Sequence, residues 1–211
     1  MKPEKNIVDF YIICATLADT IRAGWAAWRV PRARLESVAE HVFGVQMLAI
    51  AMWSEYKYEN IDIRRVIMMI ALHELEESVI GDLTQWDINP DEKVSRGHAA
   101  VKSILGNLAA GDELEKLILE FDARETPDAL FAYHCDKLQA DITAKLYDTK
   151  TPIDLTAQND NPIFHDRDVQ KLFATGKSFG DMWMQFGRDK YGYDKNFTAV
   201  SEYAEHNISK S

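Results

Sequence analysis

The sequence predicts an all-α fold in which one helical bundle is followed by a C-terminal helical extension. Apolar residues recur three and four positions apart through most of the 211-residue chain, which is the period of an amphipathic helix. Residues that commonly cap helices precede several of these segments. No region has the alternating pattern of a strand-rich domain. Hydrophobic residues make up 46% of the chain, which is enough to form a globular core.

The first helices follow directly from this spacing. Apolar residues over positions 8–18 predict an amphipathic helix that ends near Gly24, and an arginine-rich connection follows it. The second helix is expected to begin at Ser37. Ser37 and Glu40 form the hydroxyl-x-x-acid pattern of a capping box, in which each side chain binds a backbone N–H of the other residue.

Later helices are predicted from the same signals. Asp62 is suited to cap a third helix, which carries His73 and continues to Gly81, a residue suited to a helix C-terminus. Thr126 is expected to cap another helix, with Pro127 in its first position. The remaining segments are a loop over 84–90, helical patterns from about 91 and 112, a loop over 149–162, a last helix over 166–190 and a frayed tail.

Charge and hydropathy exclude several classes of function. The net charge of −10 disfavours a long nucleic acid as partner. A small phosphate ester stays compatible, because a bound divalent cation inverts the local field. The longest apolar run, over 67–72, is much shorter than the roughly 20 residues that span a membrane. Asp9 interrupts any secretory signal near the N-terminus. We therefore expect a cytoplasmic protein that does not enter membranes.

Candidate chemical groups concentrate after His73, where Glu74, Glu76 and Glu77 follow within four residues and Asp82 lies beyond them on a glycine turn. On an α-helix His73 and Glu77 share a face, and Glu74 is close enough to reach the same ion. A buried group of carboxylates without a cation is costly. Alternatively, these carboxylates form a solvated helix face and His73 is a core residue. Spacing alone leaves both interpretations open, and Glu76 is expected to face solvent in either.

Several motifs of this chain resemble those of the HD-domain phosphohydrolase superfamily. The segment 36–41, which ends in His41, resembles the family's first-histidine motif, and 73–82 resembles its His-Asp-x-x-Glu-x-x-x-Gly-Asp motif. Asp136 falls where the last ligand of the signature belongs. The segment 22–25 has the Arg-x-Gly-Trp pattern of the 5'-deoxynucleotidase branch, and the resemblance covers about residues 10–148.

The resemblance implies that His41, His73, Glu74 and Asp136 hold one divalent metal ion. Two imidazoles and two carboxylates suit a first-row transition metal, and Mn, Co, Fe, Ni and Zn all fit. Glu74 departs from the family, which has an aspartate there. Its side chain is longer by one C–C bond, about 1.5 Å, so either the metal shifts or the carboxylate binds in another mode. A metal-binding protein with little turnover therefore stays open as an alternative.

The resemblance also implies catalytic roles and an activity. Glu77 would orient or deprotonate the attacking water and Asp82 would protonate the departing 5' oxygen, although the two roles could be reversed. The implied reaction converts deoxynucleoside 5'-monophosphates to deoxynucleoside and phosphate, and the family suggests a homodimer. A nucleoside triphosphate or alarmone hydrolase on the same scaffold is the alternative. Residues 1–148 would form the HD-domain core, with 149–211 as a loop and helical extension packed on the same domain.

Substrate-binding candidates lie near the first motif. Arg22 and Arg29 are candidates to bind the phosphate, because a guanidinium meets phosphate oxygens at two points. Arg32 and Arg34 are further candidates of the same kind, and Trp25 is a candidate to shape the sugar pocket. The alternatives are ordinary surface arginines and a core tryptophan.

Overall fold

A computed structural model describes residues 2–31, 33–84 and 87–209. In this part of the chain the regular elements are helices, apart from one isolated antiparallel bridge between Ile21 and Ser37, and the predicted all-α fold is confirmed. The α-helices are α1 (Pro3–Ala15), α2 (Ala23–Ala27), α3 (Val38–Tyr56), α4 (Ile63–Leu72), α5 (Glu77–Ile80), α6 (Pro90–Leu105), α7 (Gly111–Ala123), α8 (Pro127–Lys150), α9 (Arg167–Phe173), α10 (Phe179–Lys190) and α11 (Lys195–Asn207). Short 3-10 helices cover Thr16–Ala18, Leu155–Ala157 and Pro162–His165.

The described chain divides into two compact units. The first comprises the chain up to Ala23 together with Glu36–Tyr133, and the second comprises Gly24–Leu35 and the chain from His134 onward. The predicted boundary at residue 148 and the packing of the extension stay predictions. None of the described helices is both long enough and apolar enough to cross a lipid bilayer.

The helix starts of the first unit follow the predicted caps. Ser37 Oγ accepts a hydrogen bond from the Glu40 backbone N–H, and the Glu40 carboxylate accepts one from the Ser37 N–H, so the capping box is complete. Asp62 accepts a backbone N–H from the first turn of α4. Thr126 Oγ1 accepts the N–H of Ala129 at 3.2 Å, next to the start of α8.

The third predicted helix stops earlier than expected. α4 ends at Leu72, and residues 73–76 form tight turns in which N–H groups bond three residues back, before α5 begins. The reason is local: His73 Nδ1 lies 2.7 Å from the Ile70 carbonyl oxygen, which a continuous helix would give to the N–H of Glu74. Gly81 then ends α5 with a φ of 75°, in agreement with its predicted C-terminal role.

The first predicted helix also stops early, because its last part pairs with another segment. α1 ends at Ala15, and the chain from Thr20 onward runs beside the residues that precede α3. Arg22 donates its backbone N–H to Glu36 O at 3.1 Å, and Val38 donates its N–H to Thr20 O at 2.8 Å. These bonds give the backbone polar groups partners that a helix would otherwise supply.

The C-terminal region differs from the prediction in two ways. A single helix over 166–190 was predicted, but α9 and α10 are separate because Gly176 has a φ of 74° and Ser178 caps α10. The predicted frayed tail is instead the helix α11, whose start is capped by Asp194. Phe197 of α11 is buried, so tertiary packing adds to the cap in holding this helix.

A hydrophobic cluster fixes the turn between α4 and α5. Leu75, which lies between two of the candidate acidic residues, is buried against Val101, Ile104 and Leu105 of α6 and Ile118 of α7. Because Leu75 is anchored in this core, the backbone positions of its neighbours Glu74 and Glu76 are fixed as well.

Candidate metal centre

Two buried imidazoles of the first unit face each other from neighbouring helices. His41 lies one turn into α3, and His73 directly follows the last residue of α4. Both side chains are almost completely inaccessible to solvent, and their ring centroids are 5.5 Å apart. The capping box that starts α3 and the core contacts of Leu75 therefore bring together two imidazole rings that are 32 positions apart in the sequence.

Glu74 directs a carboxylate oxygen between these two rings. Its Oε1 is 3.7 Å from His41 Nε2 and 3.6 Å from His73 Nε2. The candidate ligand atoms of the three residues all lie within 4.8 Å of one another. The same oxygen accepts a hydrogen bond of 2.9 Å from Arg22 Nη1. Two imidazole nitrogens and one carboxylate oxygen thus converge on a single small volume.

The orientation of His73 suits a metal ligand. Its Nδ1 is 2.7 Å from Ile70 O, and because a carbonyl oxygen only accepts, Nδ1 carries the hydrogen. In the neutral ring the lone pair is then on Nε2, the atom that faces Glu74. Metal-binding histidines commonly hold their tautomer through such a bond from the other ring nitrogen.

Asp136, the fourth predicted ligand, lies on α8 in the second unit. Its side chain is buried, and its Oδ2 is 2.8 Å from Lys137 Nζ. In the first unit, His41, His73 and Glu74 form a His/Glu cluster suited to a metal ion, and the prediction adds the carboxylate of Asp136. The donor set of two imidazoles and two carboxylates fits a divalent transition metal.

Glu77 is a buried acid beside this cluster. Burial, followed by the negative charges of Glu74 and Asp82, raises its pKa to about 11, while Arg22 and Lys93 act in the opposite direction. Lys93 Nζ is 3.8 Å from Glu77 Oε1, and Glu77 Oε2 has no hydrogen-bond partner among the described residues. A divalent cation nearby would offset the repulsion and stabilise the ionised form. The surroundings of Glu77 therefore also fit a cationic site.

Asp82 is hydrogen-bonded to the first residue of α2. Its Oδ2 accepts the backbone N–H of Ala23 at 2.7 Å. Gly81, with its positive φ, turns the chain so that Asp82 can make this contact. One carboxylate oxygen of this predicted catalytic residue thus has a structural role.

The predicted substrate-binding residues of the second unit lie in different environments. Trp25 is buried, and its ring meets Tyr147 edge-on at a centroid distance of 5.2 Å. Arg29 has a φ of 52°, and its guanidinium donates to Ala157 O at 2.7 Å and to the Asp160 carboxylate.

The structure describes one of the other two arginine candidates. Arg34 is exposed in the connection between α2 and α3. Arg32 lies outside the described residues.

Two features near the centre were not predicted. Glu76 was expected to face solvent, but its side chain is partly buried where Gly97 of α6 leaves room for it: a Cβ at Gly97 would lie 3.3 Å from Glu76 Cγ. This expectation was wrong because Gly97, which has no side chain, leaves space on α6 that Glu76 occupies. Burial and the charge of Glu74 raise the Glu76 pKa to about 8. The approach of Lys93 to Glu77 spans 16 positions, so no local pattern indicates it.

The chain matches a protein-family model and several curated proteins. A family model described as HD domain matches residues 14–173. Over 150 residues the chain is 29% identical to the 5'-deoxynucleotidase HDDC2 of Dictyostelium discoideum, and this match covers 68% of this chain and 78% of the relative. Over 141 residues it is 26% identical to the 5'-deoxynucleotidase hdd1 of Schizosaccharomyces pombe, which covers 64% and 68% of the two chains.

Solved structures show the same fold. A conserved hypothetical protein from Pyrococcus furiosus matches with a TM-score of 0.61 and 24% identity, over 80% of this chain and 97% of the other. A predicted metal-dependent phosphohydrolase from Magnetospirillum magnetotacticum matches with a TM-score of 0.62 and 22% identity, over 96% of both chains.

Proposed function

Because this chain belongs to the HD-domain family, we propose that it is a metal-dependent phosphohydrolase that acts as a 5'-deoxynucleotidase. The observation that carries the proposal is the convergence of His41 and His73 on the Glu74 carboxylate, with the buried acid Glu77 beside them. The names of the curated relatives supply the substrate class, deoxynucleoside 5'-monophosphates. The products would be a deoxynucleoside and inorganic phosphate.

The proposed metal ligands are His41, His73, Glu74 and Asp136. The proposed cofactor is one divalent transition metal, and Mn, Co, Fe, Ni and Zn all suit the donor set. When bound, such an ion supplies Lewis acidity toward water and toward phosphoryl oxygens. The tautomer of His73 and the placement of Glu74 between the two rings support this ligand assignment.

Glu77 and Asp82 are the proposed catalytic residues. A water oxygen forms a bond to phosphorus and gives its proton to Glu77, while the bond from phosphorus to the 5' oxygen breaks and that oxygen takes a proton from Asp82. Burial favours the protonated form of Glu77 in the metal-free protein, and a divalent cation beside it would favour the carboxylate that accepts a proton. The reversed assignment of these two roles is the alternative.

Arg22, Trp25 and Arg29 are the proposed substrate-binding residues. Arg22 has the strongest support, because its guanidinium lies against Glu74. Arg29 already donates to Ala157 O and to the Asp160 carboxylate, and a guanidinium has five N–H donors with which it could also contact a phosphate. Trp25 is largely buried, which supports a role in shaping a pocket wall rather than in polar contact.

The oligomeric state, the domain division and the cellular location are also proposals. We propose a homodimer, a core over residues 1–148 with 149–211 as an extension packed on it, and a cytoplasmic location. The resemblance to 5'-deoxynucleotidases supports the core and the dimer. Sedimentation of the purified protein would measure its oligomeric state directly.

Metal-dependent product analysis tests the proposed function. The metal is removed by chelation, Mn, Co, Fe, Ni or Zn is reloaded in turn, and nucleoside mono- and triphosphates and an alarmone are supplied. Orthophosphate from deoxynucleoside monophosphates supports the proposal and identifies the active ion. Triphosphate from a dNTP, or pyrophosphate from an alarmone, would instead support the alternative enzymes. Bound metal without any product would support a binding protein with little turnover, the outcome that Glu74 leaves open.

A further inference from the structure

The contact between Arg22 and Glu74 joins two residues 52 positions apart in the sequence. Arg22 Nη1 donates to Glu74 Oε1 at 2.9 Å, and the two side chains are only 18% and 13% exposed. A charge-assisted hydrogen bond in such a protected position is stronger than a neutral one. Removing one partner of a largely buried pair leaves the other charge without compensation. This pair is therefore unlike the exposed ion pairs on the surface of the same unit.

The backbone that carries Arg22 is held at three points. Its own N–H donates to Glu36 O at 3.1 Å, and the N–H of Val38 donates to Thr20 O at 2.8 Å. The next residue, Ala23, donates its N–H to Asp82 Oδ2 at 2.7 Å. The guanidinium therefore extends from a fixed point toward the acids of the 73–82 segment.

Glu74 needs such a restraint more than a shorter acid would. A glutamate side chain has three rotatable bonds, and ordering it costs conformational entropy. Here its Oε1 is held in the space between the two Nε2 atoms, 3.7 Å from His41 and 3.6 Å from His73. A carboxylate has about four lone-pair positions, so it can accept from Arg22 and still offer a lone pair to a cation.

We propose that Arg22 is a positioning residue that holds the Glu74 carboxylate between His41 and His73 and thereby sets the affinity of this centre for its metal. The inference rests on the proposed function, since it assumes that Glu74 is a ligand. It assigns Arg22 a role that does not need a substrate, in addition to the proposed contact with phosphate. Partners that orient metal ligands are typically worth 10- to 100-fold in metal affinity.

The test measures Mn²⁺ binding to metal-stripped full-length protein by calorimetry, with no nucleotide present. Arg22→Gln should raise the Kd for Mn²⁺ about 10- to 100-fold, and Arg22→Lys should recover part of the loss. Arg65→Gln is the matched control, because it removes an Arg–Glu pair with Glu120 elsewhere in the same unit and should leave the Kd unchanged. An unchanged Kd in Arg22→Gln overturns the proposal. So does a lower Kd, which would mean that Arg22 competes with the metal.

A double-mutant cycle with Glu74→Asp separates positioning from a general structural effect. The shorter carboxylate cannot keep the same contact, so adding Arg22→Gln to Glu74→Asp should cost much less affinity than it costs alone. Fully additive losses would show that Arg22 does not act through Glu74. If Arg22→Gln does not fold, Arg22→Lys takes its place in the cycle. Its effect on the Kd is then measured in the wild-type background and in the Glu74→Asp background. Wild-type protein that binds no metal would contradict the proposed function itself, whereas equal binding by wild type and variants would contradict this inference only.

Discussion

Ala23 donates its backbone N–H to Asp82 Oδ2 at 2.7 Å, so the acid predicted to protonate the leaving group also fixes the chain beside Arg22. The two roles use different properties of one carboxylate. Holding the N–H requires an oxygen that accepts a hydrogen bond, whereas proton transfer requires an ionisable group.

Substitutions at Asp82 should separate these roles. Asp82→Asn keeps an oxygen that accepts from Ala23, so we expect nearly wild-type stability with a large loss of rate. Asp82→Ala removes the acceptor and should also lower the free energy of unfolding by about 1 kcal/mol. Urea denaturation and phosphate release measure the two effects. Equal stability of the Ala and Asn variants would show that the contact with Ala23 contributes nothing.

His73→Ala should sharply reduce the metal content of the purified protein. The substitution removes a proposed ligand whose tautomer is held by Ile70 O. Elemental analysis by mass spectrometry measures the metal bound per chain. His206→Ala is the control, because His206 is an exposed residue of α11 whose Nδ1 lies 2.7 Å from Glu202 O in its own helix. A full metal complement in His73→Ala would refute the ligand assignment.

Glu77→Gln should retain the metal and lose about 100- to 10,000-fold in rate, the usual contribution of a positioned acid or base. Phosphate release and metal content are measured on the same preparation. Glu55→Gln, which changes an exposed acid of α3, should keep the wild-type rate. Loss of metal in Glu77→Gln would move Glu77 from the catalytic residues to the ligands.

The same substitution has a predicted effect on the stability of the metal-free protein. Burial raises the pKa of Glu77 to about 11 in the folded protein. Between the ordinary carboxyl pKa and pH 11, the folded state therefore binds more protons than the unfolded state. The contribution of Glu77 to the free energy of unfolding therefore falls as the pH rises through this window. Metal-free Glu77→Gln should be more stable than metal-free wild type at pH 8, with a smaller difference at pH 5. Denaturant titrations at both pH values check this, and the opposite order would contradict the assigned burial.

Gly187→Ala should destabilise the second unit. An added Cβ would lie 1.9 Å from Asp141 Oδ2, and Asp141 cannot move away easily because it is fully buried and accepts a hydrogen bond of 3.1 Å from Tyr193. Overpacking of this kind costs about 1–3 kcal/mol, which exceeds the gain of up to about 1 kcal/mol from replacing a helical glycine.

Thermal unfolding of Gly187→Ala and Gly24→Ala provides the comparison. At Gly24, a helical glycine of the same unit, no described atom lies within 4 Å of the added Cβ. We expect a lower Tm for Gly187→Ala and an equal or higher Tm for Gly24→Ala. A wild-type Tm in Gly187→Ala would show that α10 can shift to accept the methyl group.

Local sequence patterns predicted the helix starts better than the helix ends. The capping box of Ser37 and Glu40 and the cap at Asp62 depend on residues no more than three positions apart, so the sequence displays them directly. The end of α4 depends on a bond between the His73 side chain and Ile70 O, which no periodicity indicates.

For the candidate site, the sequence likewise indicates some features and not others. Motif spacing named the acids and histidines of the proposed site, because their order along the chain is the signal. It could not predict that Arg22 binds Glu74 or that Arg29 binds Asp160, since these partners are 52 and 131 positions apart and are brought together only by folding. Glu76 was placed wrongly for a related reason, since the space that receives it is provided by Gly97 on another helix.

The bond between His73 and Ile70 O means that one metal ligand is oriented by its own helix rather than by the ion. The entropy of fixing this imidazole is therefore lost when the chain folds, and a metal that arrives later meets a ring already turned toward Glu74. We therefore expect metal binding at the proposed centre to cost little ordering entropy at His73.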